Sequence, residues 1–369
     1  MKALHLTYRF GRDLVGGAEH YMEQLSRSLV RAGVEVDLWT TRTEGLPPIS
    51  RFGVRWDNAR PRRAERLDGL DVRRYTTVNM PGSIVRVCDR LLTARWRREA
   101  RGAAPVDMGD GGAWIAHLTA RARARPWLFE ALFFLLRAPL APAMLWDLAT
   151  KIRNYDVILA QMTPFSTLNY AVAFGAMSRV PVVLLPHFHG DDDFYHLRHY
   201  YQAFRRAAAV LAVSPSQKRF FEGLGARAEV VGGGGVDPAE FGGGDGGAAA
   251  FRQRFGVEKI PLILFVGRKA PSKRYDLLVQ AVDFLNAHLA CKLLMVGPDE
   301  DGRPIASVNV VYLGRQERGV VLDAYRAANV FAMMSESESF GIVFLEAWMA
   351  GKPVIGNRAC SAVAELIAD

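Results

Sequence analysis

The chain has 369 residues, half of them hydrophobic and 23% charged, which is more than one ordinary α/β domain needs and too apolar for extended disorder. Three widely spaced cysteines, Cys88, Cys291 and Cys360, have no second Cys or His at ligand spacing, which excludes a disulfide framework and a zinc site. The formal charge of +9 is concentrated between residues 60 and 125, where fifteen Arg stand against seven acidic residues; the block suits an anionic surface such as lipid headgroups or nucleic acid, or else is a solvated face of an Arg-rich sequence.

The opening MKALHLTYRFGRD holds only a short apolar run broken by Arg9 and Arg12, too little for a signal peptide, so a cytoplasmic protein is expected. Ala3–Leu6 reads as the first strand. A helix follows, with Ala18, Tyr21, Met22, Leu25 and Leu29 on one face, Glu19, Glu23, Arg27 and Arg31 on the other, and Gly33 ending it. Further strand-like runs at Val34–Trp39, Val157–Ala160, Val180–Leu185 and Val210–Val213 alternate with helical patterns, which predicts βαβ units and a parallel sheet.

The segment from about 58 to 150 interrupts this rhythm and reads as an insertion, first Arg-rich and then strongly apolar through WLFEALFFLLRAPLAPAMLW. Glu130 and Arg137 share a helical face and Pro139 and Pro142 break the run, so it is not a membrane span; it is an interfacial or acceptor-facing element, or a buried core helix.

Nine glycines between Gly232 and Gly247, interrupted by VDPAEF, mark a domain boundary. Beyond them a second series begins: Leu262–Val266, Leu293–Val296, Val308–Leu313, Val330–Met333 and Val354–Ile355. The expected architecture is α/β, with Rossmann-like domains over 1–232 and 233–369 whose parallel sheets face a central cleft.

The densest chemistry lies in Ser335–Ile355. There a Ser/Glu loop and Gly341 lead into a helix whose first N–H groups, those of Gly341, Ile342 and Val343, form a ready anion site. Glu338 and Glu346 bracket it and can accept hydrogen bonds from paired hydroxyls. Taken singly, Glu338 is equally a favourable charge at a helix N-terminus and Glu346 a surface residue. Upstream, Gly267 ends a strand and the loop after it carries Arg268 and Lys273, two cations able to neutralise a leaving diphosphate, or a merely solvated basic loop.

Gly-Arg-x4-Lys after a strand, Glu-x7-Glu around Phe-Gly, and the following Glu-Ala-x-Met-Ala-Gly-Lys-Pro-Val-Ile together resemble glycosyltransferase family 4, the retaining GT-B enzymes. Gly16-Gly17-Ala-Glu19, Pro186-His187-Phe-His189-Gly, Val213-Ser214 and Gly235-Val236-Asp237 extend the resemblance over nearly the whole chain apart from 58–150. It implies that Arg268 and Lys273 hold the diphosphate of a nucleotide sugar, Glu338 contacts the transferred sugar, and Glu346 holds the ribose. The backbone at Phe340, Gly341, Ile342 and Val343 then completes the cradle. Gly16 and Gly17 line the acceptor side, and His187 or His189 faces the reacting centre, His187 matching the family position better.

No cofactor and no metal are expected, and Asp191-Asp-Asp193 reads as a solvated loop. The implied partners are a nucleotide sugar and a saccharide or lipid-linked acceptor, with an anionic membrane surface and no nucleic acid. Two departures stand out: Gly233-Gly234-Gly235 where relatives often have Pro-Asn-Gly, and a sequence that stops at Asp369, short of the family's usual last strand and helices. A truncated, weakly active enzyme is the resulting expectation. A non-catalytic nucleotide-sugar binder and a sugar-nucleotide epimerase on the same fold are the competing readings.

Overall fold

A computed structural model describes residues 1–11, 16–45, 55–61, 64–67, 69–100, 127–192, 195–242 and 246–367, with side chains left aside at 89, 93–100 and 246. The chain forms two compact units, one of Met1–Phe188 with Asp192–Val231, the other of His189–Asp191 with Gly232–Asp369. Residues 189–191, read from the sequence as part of the first domain, therefore pack with the second.

The first unit carries strands β1 (Lys2–Leu6), β2 (Glu35–Thr41), β3 (Ala64–Leu67), β4 (Leu70–Tyr75), β5 (Val157–Gln161), β6 (Val182–Leu185), β7 (Ala209–Ala212) and β8 (Ala228–Val230). Their order is β3-β4-β2-β1-β5-β6-β7-β8. All neighbours run parallel except β3 against β4. Strands β3 and β4 fall inside the segment read as an insertion, so its first part is an edge of the sheet. The alternation of LDVRRY buries Leu70, Val72 and Arg74 while Asp71 and Arg73 face out, as a sheet edge requires. Arg74 is not solvated: it is buried and paired with Glu65 across the hairpin.

Helices α1 (Gly17–Arg31), α2 (Gly82–Ala100), α3 (Trp127–Arg137), α4 (Pro142–Lys151), α5 (Thr167–Ser178), α6 (Arg198–Arg206) and α7 (Pro215–Gly223) accompany this sheet. Gly33 closes α1 at φ +82°, its N–H donating to Val30, where a Cβ would be strained. The apolar run 127–146 is two helices bent by 97°. Phe129, Phe133, Leu136, Met144 and Leu148 bury into the core, each stabilising by roughly 1.5–3 kcal/mol, which makes α3 and α4 core helices. Glu130 and Arg137 are buried as well. Among the described residues no single helix is long and apolar enough to cross a membrane. Residues 101–126 of the Arg-rich block lie outside the described residues.

The second unit holds β9 (Leu262–Val266), β10 (Lys292–Val296), β11 (Val310–Tyr312), β12 (Val330–Met333) and β13 (Val354–Gly356), parallel throughout in the order β11-β10-β9-β12-β13. Its helices are α8 (Pro238–Phe241), α9 (Gly246–Arg254), α10 (Tyr275–Leu285), α11 (Arg318–Ala327), α12 (Ile342–Met349) and α13 (Ser361–Leu366). VDPAEF becomes α8 because Asp237 caps it, accepting from Ala239 N–H, and Pro238 occupies the first helical turn. Asp191, expected in a solvated loop, instead accepts from the backbone N–H (3.1 Å) and hydroxyl (2.9 Å) of Ser361 at the start of α13. Burial pushes its carboxyl pKa up, with the Ser361 hydrogen bonds opposing. Asp193 lies outside the described residues.

Candidate functional site

In the second sheet the chain moves outward from β9 to β10 and β11, then returns to the other side of β9 for β12 and β13. The switch point is therefore between β9 and β12, and the crevice beyond the carboxyl ends of such strands is where α/β sheets bind ligands. The two loops that flank it are Gly267–Arg274 and Met334–Gly341, the segments that carry Arg268, Lys273 and Glu338. They are joined through the backbone, Glu336 N–H donating to Ser272 C=O at 3.0 Å. Arg274 reinforces the join, pairing with Glu336 at 2.7 Å and Asp276 at 3.2 Å.

Lys273 ends a 3₁₀ turn, Pro271–Lys273, and its ammonium pairs with the Glu338 carboxylate. Both side chains are largely buried. Burial alone would raise the Glu338 pKa, but the Lys273 charge and hydrogen bond, with help from His189 and Ser335, hold it below the usual carboxylate range. Glu338 is thus ionised and fixed. His189 stands beside it, Nδ1 3.3 Å from Ser337 Oγ. Burial, aided by the Lys273 and Arg268 charges and opposed by Glu338, brings its pKa down to about 4, so the ring is neutral at pH 7.

Arg268, at the exit of β9, donates from Nη1 to both oxygens of Glu300, at 2.9 and 2.7 Å. Gly341 opens α12 at φ +94°, a left-handed conformation that favours glycine. Phe344 N–H turns back to Gly341 C=O, while the N–H groups of Ile342 and Val343 belong to the first turn, where no i−4 acceptor exists. Phe340 lies against Gly233, where a Cβ would sit 1.8 Å from its ring. The first glycine of the departing Gly-Gly-Gly is therefore what admits the Phe340 ring.

Glu346 is buried one turn into α12 and not a surface residue. One oxygen accepts from Arg318 Nη1 and the other from Tyr325 OH at 2.8 Å. Arg318 also holds Glu240 at 2.7 Å. Burial first, then the Glu346 charge, drive the Tyr325 pKa well up, so its phenol remains a donor.

In the first unit the switch point falls between β1 and β5, and Gly16 and Gly17 stand at the start of α1, the helix that follows β1. Gly16 caps α1 and touches Glu19: a Cβ on it would sit 2.0 Å from the Glu19 carboxylate. Glu19, placed on the polar face by periodicity, is buried by its pairing with Arg9 at 2.6 Å. His187 has φ +46° and a buried ring, edge-on to Tyr21 and 3.4 Å from Gln161 Oε1. The two histidines thus lie in different surroundings, and His189 is the one beside Glu338.

A profile described as Glycosyltransferase Family 4 matches residues 91–240, and one described as Glycosyl transferases group 1 matches 249–369. The chain belongs to glycosyltransferase family 4. A D-inositol 3-phosphate glycosyltransferase of Xylanimonas cellulosilytica is 38% identical over 120 residues, 29% of this chain and 28% of that protein. One from Kineococcus radiotolerans is 26% identical over 94% of this chain and 73% of its own length. The chain spans about a third or less of the first curated relatives it matches. Among solved structures, Anabaena HepE in complex with UDP and glucose matches with a TM-score of 0.62 and 17% identity, over 100% of this chain and 83% of that one. A sucrose-phosphate synthase from Thermosynechococcus elongatus matches at 0.60 and 17%, over 96% and 81%. The fold of this family 4 chain is GT-B.

Sequence reading missed three residues of this family 4 site. Arg318 and Glu240 hold Glu346 in place, and Lys269 anchors the turn that carries Glu300. The available signal for Arg318 was its position at the start of a helix that follows a strand of the same sheet. Lys269, next to Arg268, was not singled out, because nothing in the sequence sets it apart from the cations around it.

Proposed function

We propose that this chain transfers a sugar from a nucleoside-diphosphate sugar to an acceptor hydroxyl with retention of configuration. The observation that carries the reading is the gathering of Arg268, Lys273, Glu338 and His189 at one switch point, with the α12 N-terminus in the same loop as Glu338. Arg268 and Lys273 take the diphosphate and neutralise the charge that grows on it, the work a metal ion does elsewhere. Glu338, ionised and held by Lys273, accepts hydrogen bonds from the sugar. Glu346 takes the ribose diol through the lone pairs that Arg318 and Tyr325 leave. His189 replaces His187 as the histidine directed at the sugar, and Gly16 and Gly17 serve acceptor binding.

In the reaction the bond from the anomeric carbon to the diphosphate oxygen breaks and its electron pair leaves with the diphosphate. The acceptor oxygen bonds to the same face of that carbon, and its proton passes to the departing diphosphate. Positioning and electrostatics lower the barrier. Because HepE is solved with UDP and with UDP-glucose, a UDP-sugar is the first donor to test. The acceptor is a saccharide or lipid-linked hydroxyl at the cytoplasmic face of a membrane. Supporting this, Ile84, Val87 and Leu91 form an exposed stripe on α2 beside exposed Arg86 and Arg90.

Arg268→Ala and Lys273→Ala each lower turnover by about 10²- to 10³-fold, by analogy with losing one oxyanion donor. Steady-state rates at saturating donor check this, and near-normal turnover in either variant removes the diphosphate role.

A further inference from the structure

The turn after β10 is built around a buried cation. Lys269 is 1% exposed, and its ammonium pairs with Asp299 at 2.8 Å and with Asp301 while donating to Arg303 C=O at 2.8 Å. Tyr275 OH donates to the other Asp301 oxygen at 2.7 Å. The backbone adds Lys269 N–H to Pro298 C=O at 2.9 Å and Glu300 N–H to Lys269 C=O at 3.1 Å. Gly302 and Arg303 N–H groups close the turn on the side chains of Asp299 and Asp301. Pro298, Asp299, Glu300, Asp301 and Arg303 are therefore each tied to Lys269 in the loop that carries Arg268, and Gly302 is held through Asp299. The carboxylate in the middle, Glu300, is not spent on holding the turn. It lies on Arg268.

We propose that Glu300 is a built-in anion that competes with the donor diphosphate for Arg268 and so drives release of the nucleoside diphosphate product. The inference rests on the donor-site reading above. A diphosphate reaching Arg268 meets a guanidinium already paired, and must displace a carboxylate whose backbone is fixed by the Lys269 clamp. Once the sugar has left, Glu300 returns to Arg268 at no search cost, because the turn cannot move away. Arg268 and Glu300 are both partly solvated, so the competition is modest in strength and sensitive to salt. Lys273 differs, because its partner Glu338 stays in place to meet the sugar.

The test is calorimetric titration of UDP, GDP and ADP into the wild-type chain, Glu300→Gln and Arg268→Ala at low and at 0.5 M salt. Glu300→Gln keeps the size of the side chain and removes its charge. The expected result is that Glu300→Gln binds the preferred diphosphate about 3- to 10-fold tighter at low salt, that the gain shrinks at high salt, and that Arg268→Ala binds more weakly than wild type. Product inhibition by the same diphosphate strengthens in parallel. Unchanged or weaker binding in Glu300→Gln, while Arg268→Ala is impaired, overturns the competition and leaves the donor site standing. If Arg268→Ala binds as well as wild type, the donor-site reading itself is wrong and this inference goes with it.

Discussion

Single residues show how burial and charge decide what a side chain can do. His5 lies in the middle of β1 with Nδ1 2.7 Å from Ser26 Oγ, and burial brings its pKa to about 4. In the unfolded chain the same ring takes up its proton near pH 6.5. Above that pH neither state is protonated and the folded protein keeps its full stability. As pH falls from 6.5 to 4 only the unfolded state gains the proton, so stability is lost at up to about 1.4 kcal/mol per pH unit for this one group. Denaturant unfolding across pH 4–7 checks this: His5→Gln has a slope shallower by about one proton than the wild type. Equal slopes contradict it.

At this scale the sequence was informative about which residues the fold gathers and poor at their surroundings. Arg268, Lys273 and Glu338 could be picked out because their motif spacing puts them on two loops of one sheet edge. Glu19 was misplaced because helical periodicity records hydropathy, and only the fold brings Arg9 to it. The assignment between His187 and His189 turned on where the chain goes after β6, and alternation along a strand says nothing about residues beyond its end.

Among the elements, the paired turns at the carboxyl ends of β9 and β10 are cross-linked through one buried cation, Lys269. Lys269 supplies the charge for both Asp299, which is largely solvated, and Asp301, whose side chain is only 8% exposed. Removing a buried partner leaves an uncompensated charge, which costs about 3–5 kcal/mol. Lys269→Met, similar in length and apolar, therefore lowers unfolding free energy by that amount, and Lys269→Arg loses less. A loss in Lys269→Met below about 1 kcal/mol in urea titration removes the clamp. Strands of pure apolar character were legible from the sequence. Strands β3 and β4 were not, because AERL and LDVRRY alternate with charged residues inside an Arg-rich stretch. Helices α3 and α4 were legible as helices broken at proline, but which of core or surface they served depended on a sheet whose edge had gone unrecognised.

For the whole molecule, the net charge of +9 and the exposed apolar side chains of the first unit point the same way. Trp127 and Trp146 are 75% and 70% exposed, and α2 sets an apolar stripe beside Arg86 and Arg90. Exposed aromatic side chains, and an apolar stripe set beside cations on α2, suit an interface between water and anionic lipid. Vesicles containing about a third phosphatidylglycerol are expected to sediment the protein, with binding that falls steeply between low and physiological salt as the Debye length shortens to about 8 Å. Equal binding to neutral vesicles contradicts an electrostatic contribution.

The central claim is that the second unit binds a nucleoside diphosphate through Arg268, Lys273 and Glu346. Its most direct test is the unfolding temperature of the chain with UDP, GDP, ADP and the corresponding nucleoside monophosphates. A ligand present at 100 times its dissociation constant adds roughly 2.7 kcal/mol to the folded state. The account predicts that at least one diphosphate raises the melting temperature by several degrees, that its monophosphate does so less, and that Lys273→Ala loses most of the shift. No shift with any diphosphate at millimolar concentration, or a shift that Lys273→Ala retains in full, contradicts it.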